Sequence, residues 1–225
     1  MKKYSILIIE DHSLTRFGLR TAFESDKNFS KIYEAANAKQ GISIAQKEAI
    51  DAVIMDLGLP DINGIEATKI IKEKHPSIKV VILSSHEQEE DVLKSLHNGA
   101  NAYCTKDIEP DKLIDITKSI LEGAAWFDPK VAQYVLNAAR RTENEVKEQP
   151  VSANSEAPKS TENNLTVREK QVLALIVEGL TNNEIAKKLD VSINTTKAHV
   201  CNILQKLAVN DRTQAAIKAL KDNLI

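Results

Sequence analysis

The sequence predicts an α/β fold, a doubly wound five-stranded parallel sheet, followed by a second, all-α unit of four helices. Three observations carry this expectation. Five short aliphatic or β-branched runs alternate with helix-length segments through the first 125 residues. A stretch with almost no apolar residues follows at 141–164. The last 61 residues hold apolar side chains at helical spacing and no strand-like run. At 225 residues, and with roughly 150 per domain, the length admits one large domain or two small ones, and the polar stretch decides for two.

In chain order, buried strands are expected at 5–9 (SILII), 31–35 (KIYEA), 52–55 (AVIM), 79–83 (KVVIL) and 102–104 (AYC). Helices are expected at 13–25, 38–47, 64–75, 87–98 and 110–122. Gly99 and Gly123 stand where helix C-caps belong, and Pro110 where a first turn tolerates a missing N–H. Successive βα units make the strands parallel and cover both faces of the sheet. Residues 126–141, WFDPKVAQYVLNAARR, read as a connecting helix begun by Asp128 and Pro129. Residues 141–164, whose only apolar members are Val146, Val151, Ala153 and Ala157, read as a solvated linker. The chain thus divides into 1–125, 126–164 and 165–225.

Hydrophobic residues at 42% and charged residues at 28% suffice for packed cores and exclude wholesale disorder. Aromatics are only 4%, so the cores must be aliphatic, and a stacking platform for single-stranded nucleic acid is not expected. Cys104 and Cys201 lie far apart and in no CxxC pair, which fits reduced thiols in a cytosol. The opening MKKYSILIIED stops being apolar at Ile9, too soon for a signal-peptide core, and no segment approaches the roughly 20 apolar residues of a membrane helix. A cytoplasmic protein with no membrane partner is expected.

The net charge of -2 divides unevenly. Residues 1–140 hold 18 basic and 21 acidic side chains, 141–164 hold 3 and 5, and 165–225 hold 9 and 6. The basic excess of the last segment points to nucleic-acid contact there, though modestly.

Ligands of such a sheet bind beyond the C-terminal strand ends, near the point where strand order reverses. Neither GxGxxG nor GxxxxGK is present, so a phosphate-cradling loop is not expected. The strand ends carry instead Glu10 and Asp11, Asp56, Ser84 and Lys106. If the strands are ordered 2-1-3-4-5, three carboxylates, a hydroxyl and an ammonium converge on one rim. Crowded carboxylates with hard oxygen donors suit Mg²⁺. Beside a metal and Lys106, Asp56, single and central, is the candidate nucleophile toward phosphorus, forming an acyl phosphate. Any one such Asp more often caps a helix or is solvated; the joint pattern is harder to dismiss.

Residues 1 to about 125 resemble the receiver domain of bacterial two-component response regulators, a flavodoxin-like fold. The resemblance lies in ED at 10–11, MDLGLPDINGIE at 55–66, VVILSSHE at 80–87 and GANAYCTKD at 99–107. It implies that Asp56 accepts phosphate from a sensor histidine kinase, that Glu10, Asp11, Asp56 and the carbonyl of Gly58 hold Mg²⁺, and that Lys106 pairs with the phosphoryl group. It makes Ser84 and Tyr103 a switch pair, in which the hydroxyl moves to the phosphate and the ring turns inward. Asp107 follows Lys106 where many receivers have Pro, Ser85 stands where Ala is common, and Gly58 and His86 occupy positions that influence water access to the acyl phosphate.

In the last segment, Thr166 with Glu169 and Thr181 with Glu184 are two capping boxes, opening helices that run to about 177 and 189. A third helix from near Asn194 puts Val200, Ile203, Leu204 and Leu207 on one face; a fourth, about 212–220, closes the small core or dimerises. A helical protein-interaction bundle has the same spacing. Residues 165–216 resemble, however, the LuxR-type helix-turn-helix, and together with the receiver, over about 190 of the 225 residues, the NarL/FixJ class of regulators. That implies a third helix in the major groove of double-stranded DNA, with Lys197, Ala198 and Cys201 at base-contacting positions and Thr195 and Lys206 as phosphate contacts. Cys201 cannot grip guanine but can pack on a thymine methyl, and Asn202 and Gln205 are suited to adenine. Thr196 replaces the usual Val, and its buried hydroxyl needs a partner such as a carbonyl one turn back.

The expected function is a phosphorylation-activated transcription regulator, not a turnover enzyme. Unphosphorylated, the receiver masks or misorients the reader; phosphate on Asp56 favours a homodimer on two half-sites. Two other readings remain at this point: a Mg²⁺-dependent phosphatase or phosphotransferase, for which the short connections leave little room for a lid, and a phosphate-independent scaffold.

Overall fold

The computed structural model describes residues 3–85, 88–124, 126, 134, 165–209, 211–222 and 224–225. The proposed connecting helix falls almost wholly outside these, as do the linker and His86. The first unit runs β1 (Tyr4–Ile9), α1 (Ser13–Ser25), β2 (Phe29–Ala35), α2 (Ala38–Lys47), β3 (Ala52–Met55), α3 (Gly64–Lys74), β4 (Lys79–Ser84), α4 (Glu89–His97), β5 (Ala102–Thr105) and α5 (Pro110–Leu121). Every strand pair is parallel and the order is β2-β1-β3-β4-β5, so the order reverses between β1 and β3. Boundaries differ from the expected ones by one or two residues, since helix ends and strand ends are set by caps and partners rather than by apolar content.

The sheet is buried on both faces by period-two alternation. Leu7, Ile9, Val53, Met55, Val80 and Ile82 face one side, packed with Ala38, Ala45, Ala67, Ile71, Val92 and Leu96 of α2, α3 and α4. Ile6, Ile8, Ile54, Val81, Leu83 and Cys104 face the other, with Phe23 of α1 and Leu113, Ile114, Ile116 and Ile120 of α5. Gly99 and Gly123 follow α4 and α5 at φ of 95° and 94°, the left-handed conformation that closes a helix C-terminus.

The second unit packs α6 (Val167–Val177), α7 (Asn182–Lys188), α8 (Ile193–Lys206) and α9 (Arg212–Lys221) around Val172, Leu173, Ile176, Ile185, Ile203 and Leu207. Both capping boxes form, with reciprocal bonds between Thr166 and Glu169 and between Thr181 and Glu184. Thr196, fully buried, donates to the carbonyl of Ser192 one turn back at 3.3 Å. Buried Arg212 donates to Asn182 Oδ1 and to the carbonyl of Leu180. Burial lowers its pKa to about 10 against the opposing charge of Glu184.

The two units touch through α9. Thr213 Oγ1 reaches the carbonyl of Asn101 at 3.4 Å, and Ile217 and Leu220 pack on the cluster that contains Leu96, Ala100 and Tyr103. Asn101 is itself buried and pinned, its Oδ1 accepting from Val80 N at 3.0 Å.

One close approach positions the strand-end rim. At Gly64, which opens α3, a Cβ would lie 2.0 Å from the carbonyl oxygen of Asp56, a backbone atom that cannot step aside. Gly64→Ala should therefore destabilise the first unit by about 2–3 kcal/mol, the cost of overpacking. Thermal unfolding of the full chain should show one transition moved down, the helical unit's remaining in place.

Candidate functional site

The sheet brings Glu10, Asp11, Asp56, Ser84 and Lys106 to its C-terminal edge, at the reversal of strand order. One carboxylate oxygen from each of Glu10, Asp11 and Asp56 lies within 4.8 Å of the others. Glu10 is 1% exposed and Asp56 6%, while Asp11 faces solvent. Lys106 Nζ bridges the two buried acids, 2.8 Å from Glu10 Oε2 and 3.0 Å from Asp56 Oδ2. Ser84 is buried at the end of β4, and its carbonyl accepts from Lys106 N at 3.0 Å. Ser84 and Thr105 are register partners, so the hydroxyl residue and the lysine leave adjacent strands side by side.

Electrostatics follow from this crowding. Burial pushes the Glu10 carboxyl above its ordinary pKa, and the Asp56 charge adds to the push while Lys106 opposes it. For Lys106, burial favours the neutral amine, but the two carboxylates outweigh it and the pKa is raised. The ammonium is therefore held charged beside Asp56. Hard carboxylate oxygens clustered within 4.8 Å, one of them destabilised as an anion, fit a Mg²⁺ ion.

Local backbone fixes each acid. Asp56 N donates to the carbonyl of Ile9 at 2.9 Å, tying β3 to β1 at the rim. Gly58 N lies 3.3 Å from Asp56 Oδ1, and exposed Gly58 leaves the approach open on that side. Asp61, in the loop after Asp56, accepts from Ala38 N and Lys39 N at 2.9 Å each and so anchors that loop to the start of α2. Tyr103 is 1% exposed, its ring inward beside Val92, Leu96 and Ala100. No cis peptide occurs among the described residues, so the bond from Lys106 to Asp107 is trans.

Arg16, which no motif of the sequence singles out, also belongs to the site. From the second turn of α1, its Nη1 donates to the carbonyls of Glu10, at 2.7 Å, and Asp11, at 3.2 Å. The signal was present as a basic residue five positions after an acidic turn at a helix start, a spacing that fits no familiar pairing rule.

In the helical unit, Thr195, Lys197, Ala198, Cys201, Asn202 and Gln205 are all exposed on α8. Among the described residues the receiver does not mask this face, one of the two expected alternatives; α9 lies against the first unit, with Asn182 at the start of α7 beside Gly123. Ser192 caps α8, accepting from Thr195 N at 3.0 Å, and its hydroxyl meets Thr195 Oγ1 at 2.8 Å. Lys206 is already engaged, 2.7 Å from Glu169 Oε2, within the first capping box. A phosphate contact by Lys206 would compete with this ion pair.

A family model described as "Response regulator receiver domain" matches residues 6–118, and one described as "Bacterial regulatory proteins, luxR family" matches residues 163–219. The transcriptional regulatory protein DegU of Brevibacillus brevis is 33% identical over 225 residues, covering 99% of this chain and 95% of its own. The response regulator protein VraR of Staphylococcus epidermidis is 34% identical over 220 residues, covering 98% of each chain. The crystal structure of a LuxR-family two-component response regulator from Aurantimonas is 30% identical with a TM-score of 0.57, covering 63% of this chain and 99% of that one.

Glu169 provides a pH test of the helical unit. Its 3% exposure opposes ionisation, but the bonds from Lys206 and from Thr166 outweigh burial and hold its pKa below the ordinary value. A depressed carboxyl adds stability above the unfolded value of roughly 4.3, and that contribution is lost as pH falls through its lower folded pKa. Glu169→Gln should lower the melting temperature of the helical unit at neutral pH and flatten its loss in acid. Melting curves followed from about pH 6 to about pH 3 check both; an unchanged acid slope would contradict the role given to Glu169.

Proposed function

The chain belongs to the two-component response regulators of the NarL/FixJ class, which join a receiver to a LuxR-type DNA-binding domain, and from that premise we propose that Asp56 is its phosphoacceptor and switch. As a member it is a DNA-binding transcription regulator rather than a conventional enzyme. The observation that carries the proposal is the buried Asp56 carboxylate under the Lys106 ammonium, with Glu10 and Asp11 beside it. The working boundaries are 1–125 for the receiver, 126–164 for the connection and 165–225 for the reader.

In the proposed step, an Asp56 carboxylate oxygen attacks phosphorus of a phosphohistidine on a sensor kinase. The new O–P bond forms as the N–P bond breaks, and its electron pair returns to the imidazole. Glu10, Asp11, Asp56 and the Gly58 carbonyl would hold Mg²⁺, which when bound offsets charge on the phosphoryl oxygens. Lys106, kept charged by its neighbours, transfers from Asp56 to a phosphoryl oxygen as charge moves outward. The same residues would accept phosphate from a small acyl phosphate, the extent of this chain's own chemistry. Ser84 then donates to the new anion, and β4 and β5 shift together because Ser84 pairs with Thr105. Tyr103 lies on that strand, in the cluster on which Ile217 and Leu220 of α9 rest. Motion at the rim thereby reaches the seat of α9, loosening the reader for dimerisation.

On DNA, α8 enters the major groove. Thr195 contacts phosphate at its N-terminus; Lys197 and Ala198 face bases, Cys201 packs on a thymine methyl, and Asn202 and Gln205 read adenine. Lys206 contacts phosphate only by leaving Glu169. A cytoplasmic site of action fits this partner, and among the described residues no helix is long and apolar enough to cross a membrane.

Asp56→Asn tests the reading. With Mg²⁺ and acetyl phosphate, wild type should take up label and Asp56→Asn none. Phosphorylation should tighten operator affinity of wild type by roughly tenfold, within the usual coupling range, and leave the variant unchanged. Equal labelling, or DNA affinity indifferent to phosphate, would contradict it.

A further inference from the structure

We propose that Arg16 is a positioning residue for the metal-binding turn, an inference that rests on the Mg²⁺ reading above. The two acids that follow β1 have unequal support. Glu10 is buried, its backbone N–H bonded to the carbonyl of Ala35 at 3.1 Å and its Oε1 accepting from His12 N at 3.2 Å. Asp11 faces solvent, so where its carboxylate points depends on the backbone that carries it. Arg16 acts on that backbone. Its Nη1 donates to the carbonyls of Glu10 and Asp11, fixing two successive peptide planes and with them the directions of both side chains.

The guanidinium is held in turn. Its Nε is 3.6 Å from Glu34 Oε2 on β2, and Arg20 Nε is 3.7 Å from Glu34 Oε1. Arg20 lies over the ring of Phe17 and beside Glu24, and among the described residues it shows no bond to the acidic turn that parallels those of Arg16. Arg16 and Arg20 therefore share one partner but differ in function: only Arg16 links β2 to the carbonyls of the metal turn.

The sign of the effect separates positioning from charge. A cation beside a cation site opposes metal binding, so if Arg16 acted only through its charge, removing it would tighten Mg²⁺. If it acts by orienting ligands, removing it loosens Mg²⁺, as losing an outer partner of a metal ligand does.

The test is calorimetric titration of the full chain with Mg²⁺ alone, with no phosphoryl donor. Arg16→Ala should raise the Mg²⁺ Kd roughly tenfold or more. Arg16→Lys, which can reach one carbonyl, should recover part of the loss, and Arg20→Ala should bind as wild type does. Should Arg16→Ala fail to fold by circular dichroism, the comparison of Arg16→Lys and Arg20→Ala with wild type carries the same decision. Unchanged or tighter binding in the Arg16 variants, or an equal loss in Arg20→Ala, overturns the proposal. Wild type that takes up no Mg²⁺ overturns the metal reading and this role with it; normal wild-type binding with indifferent Arg16 variants overturns this role alone.

Discussion

Two buried carboxylates share one partly exposed ammonium at the end of the sheet, and most of the first unit serves to keep them there. Glu10 and Asp56 would separate if free to do so; like charges this close are tolerated only because Lys106 lies 2.8 and 3.0 Å from them and because the backbone leaves them no choice. That lack of choice is built from elements far apart in sequence. β1 and β3 are adjacent and parallel, Asp56 N is bonded to the carbonyl of Ile9, and Lys106 departs β5 beside Ser84. The doubly wound topology supplies all three, because a parallel sheet presents every strand's C-terminal end on one edge and its order reverses where the acids lie. An arrangement strained by repulsion responds strongly to a cation or to a transferred phosphoryl group.

The consequence for signalling is mechanical. Lys106 and Ser84 are the groups that a phosphoryl charge on Asp56 would draw in, and they sit at the ends of the paired strands β5 and β4. At the opposite end of β5, Asn101 bonds both β4, through Val80, and α9, through Thr213. Tyr103 stands between, buried in the cluster on which α9 rests. A single short strand thus has the acid pocket at one end and the DNA-binding unit at the other.

Repeating patterns were legible in the sequence and individual polar partners were not. The alternating runs at 5–9, 52–55 and 79–83 announced β1, β3 and β4, and the two Thr-x-x-Glu boxes announced α6 and α7, because burial periodicity and capping are local properties. Glu10, Asp11, Asp56, Ser84 and Lys106 were legible because topology alone sends strand ends to one edge. Arg16, Asn101, Arg212 and the pairing of Lys206 with Glu169 were not, since each partner is chosen by tertiary packing between segments that the sequence does not connect. The exposed reading face was likewise beyond reach, as it depends on which helix of the second unit meets the first.

Those same partners alter what the charge division means for DNA. The last 61 residues carry nine basic side chains, but five are occupied within the fold. Arg168 donates to Gln171 and the carbonyl of Leu189, Lys188 pairs with Glu178, Lys206 with Glu169, Lys218 donates to the carbonyl of Leu207, and Arg212 is buried. These five cations are therefore less free to reach a duplex phosphate, although their charge remains part of the net +3. What the reading face does offer is Lys197, the hydroxyls of Ser192 and Thr195 at the positive end of a 14-residue helix, and short side chains that admit close approach. Such a surface would neutralise few phosphates, so a single copy would hold DNA weakly and with only a shallow dependence on salt. Two copies on adjacent half-sites would bind far more tightly than one, so control of pairing, rather than of the reading face itself, would be a physically sufficient place for a switch.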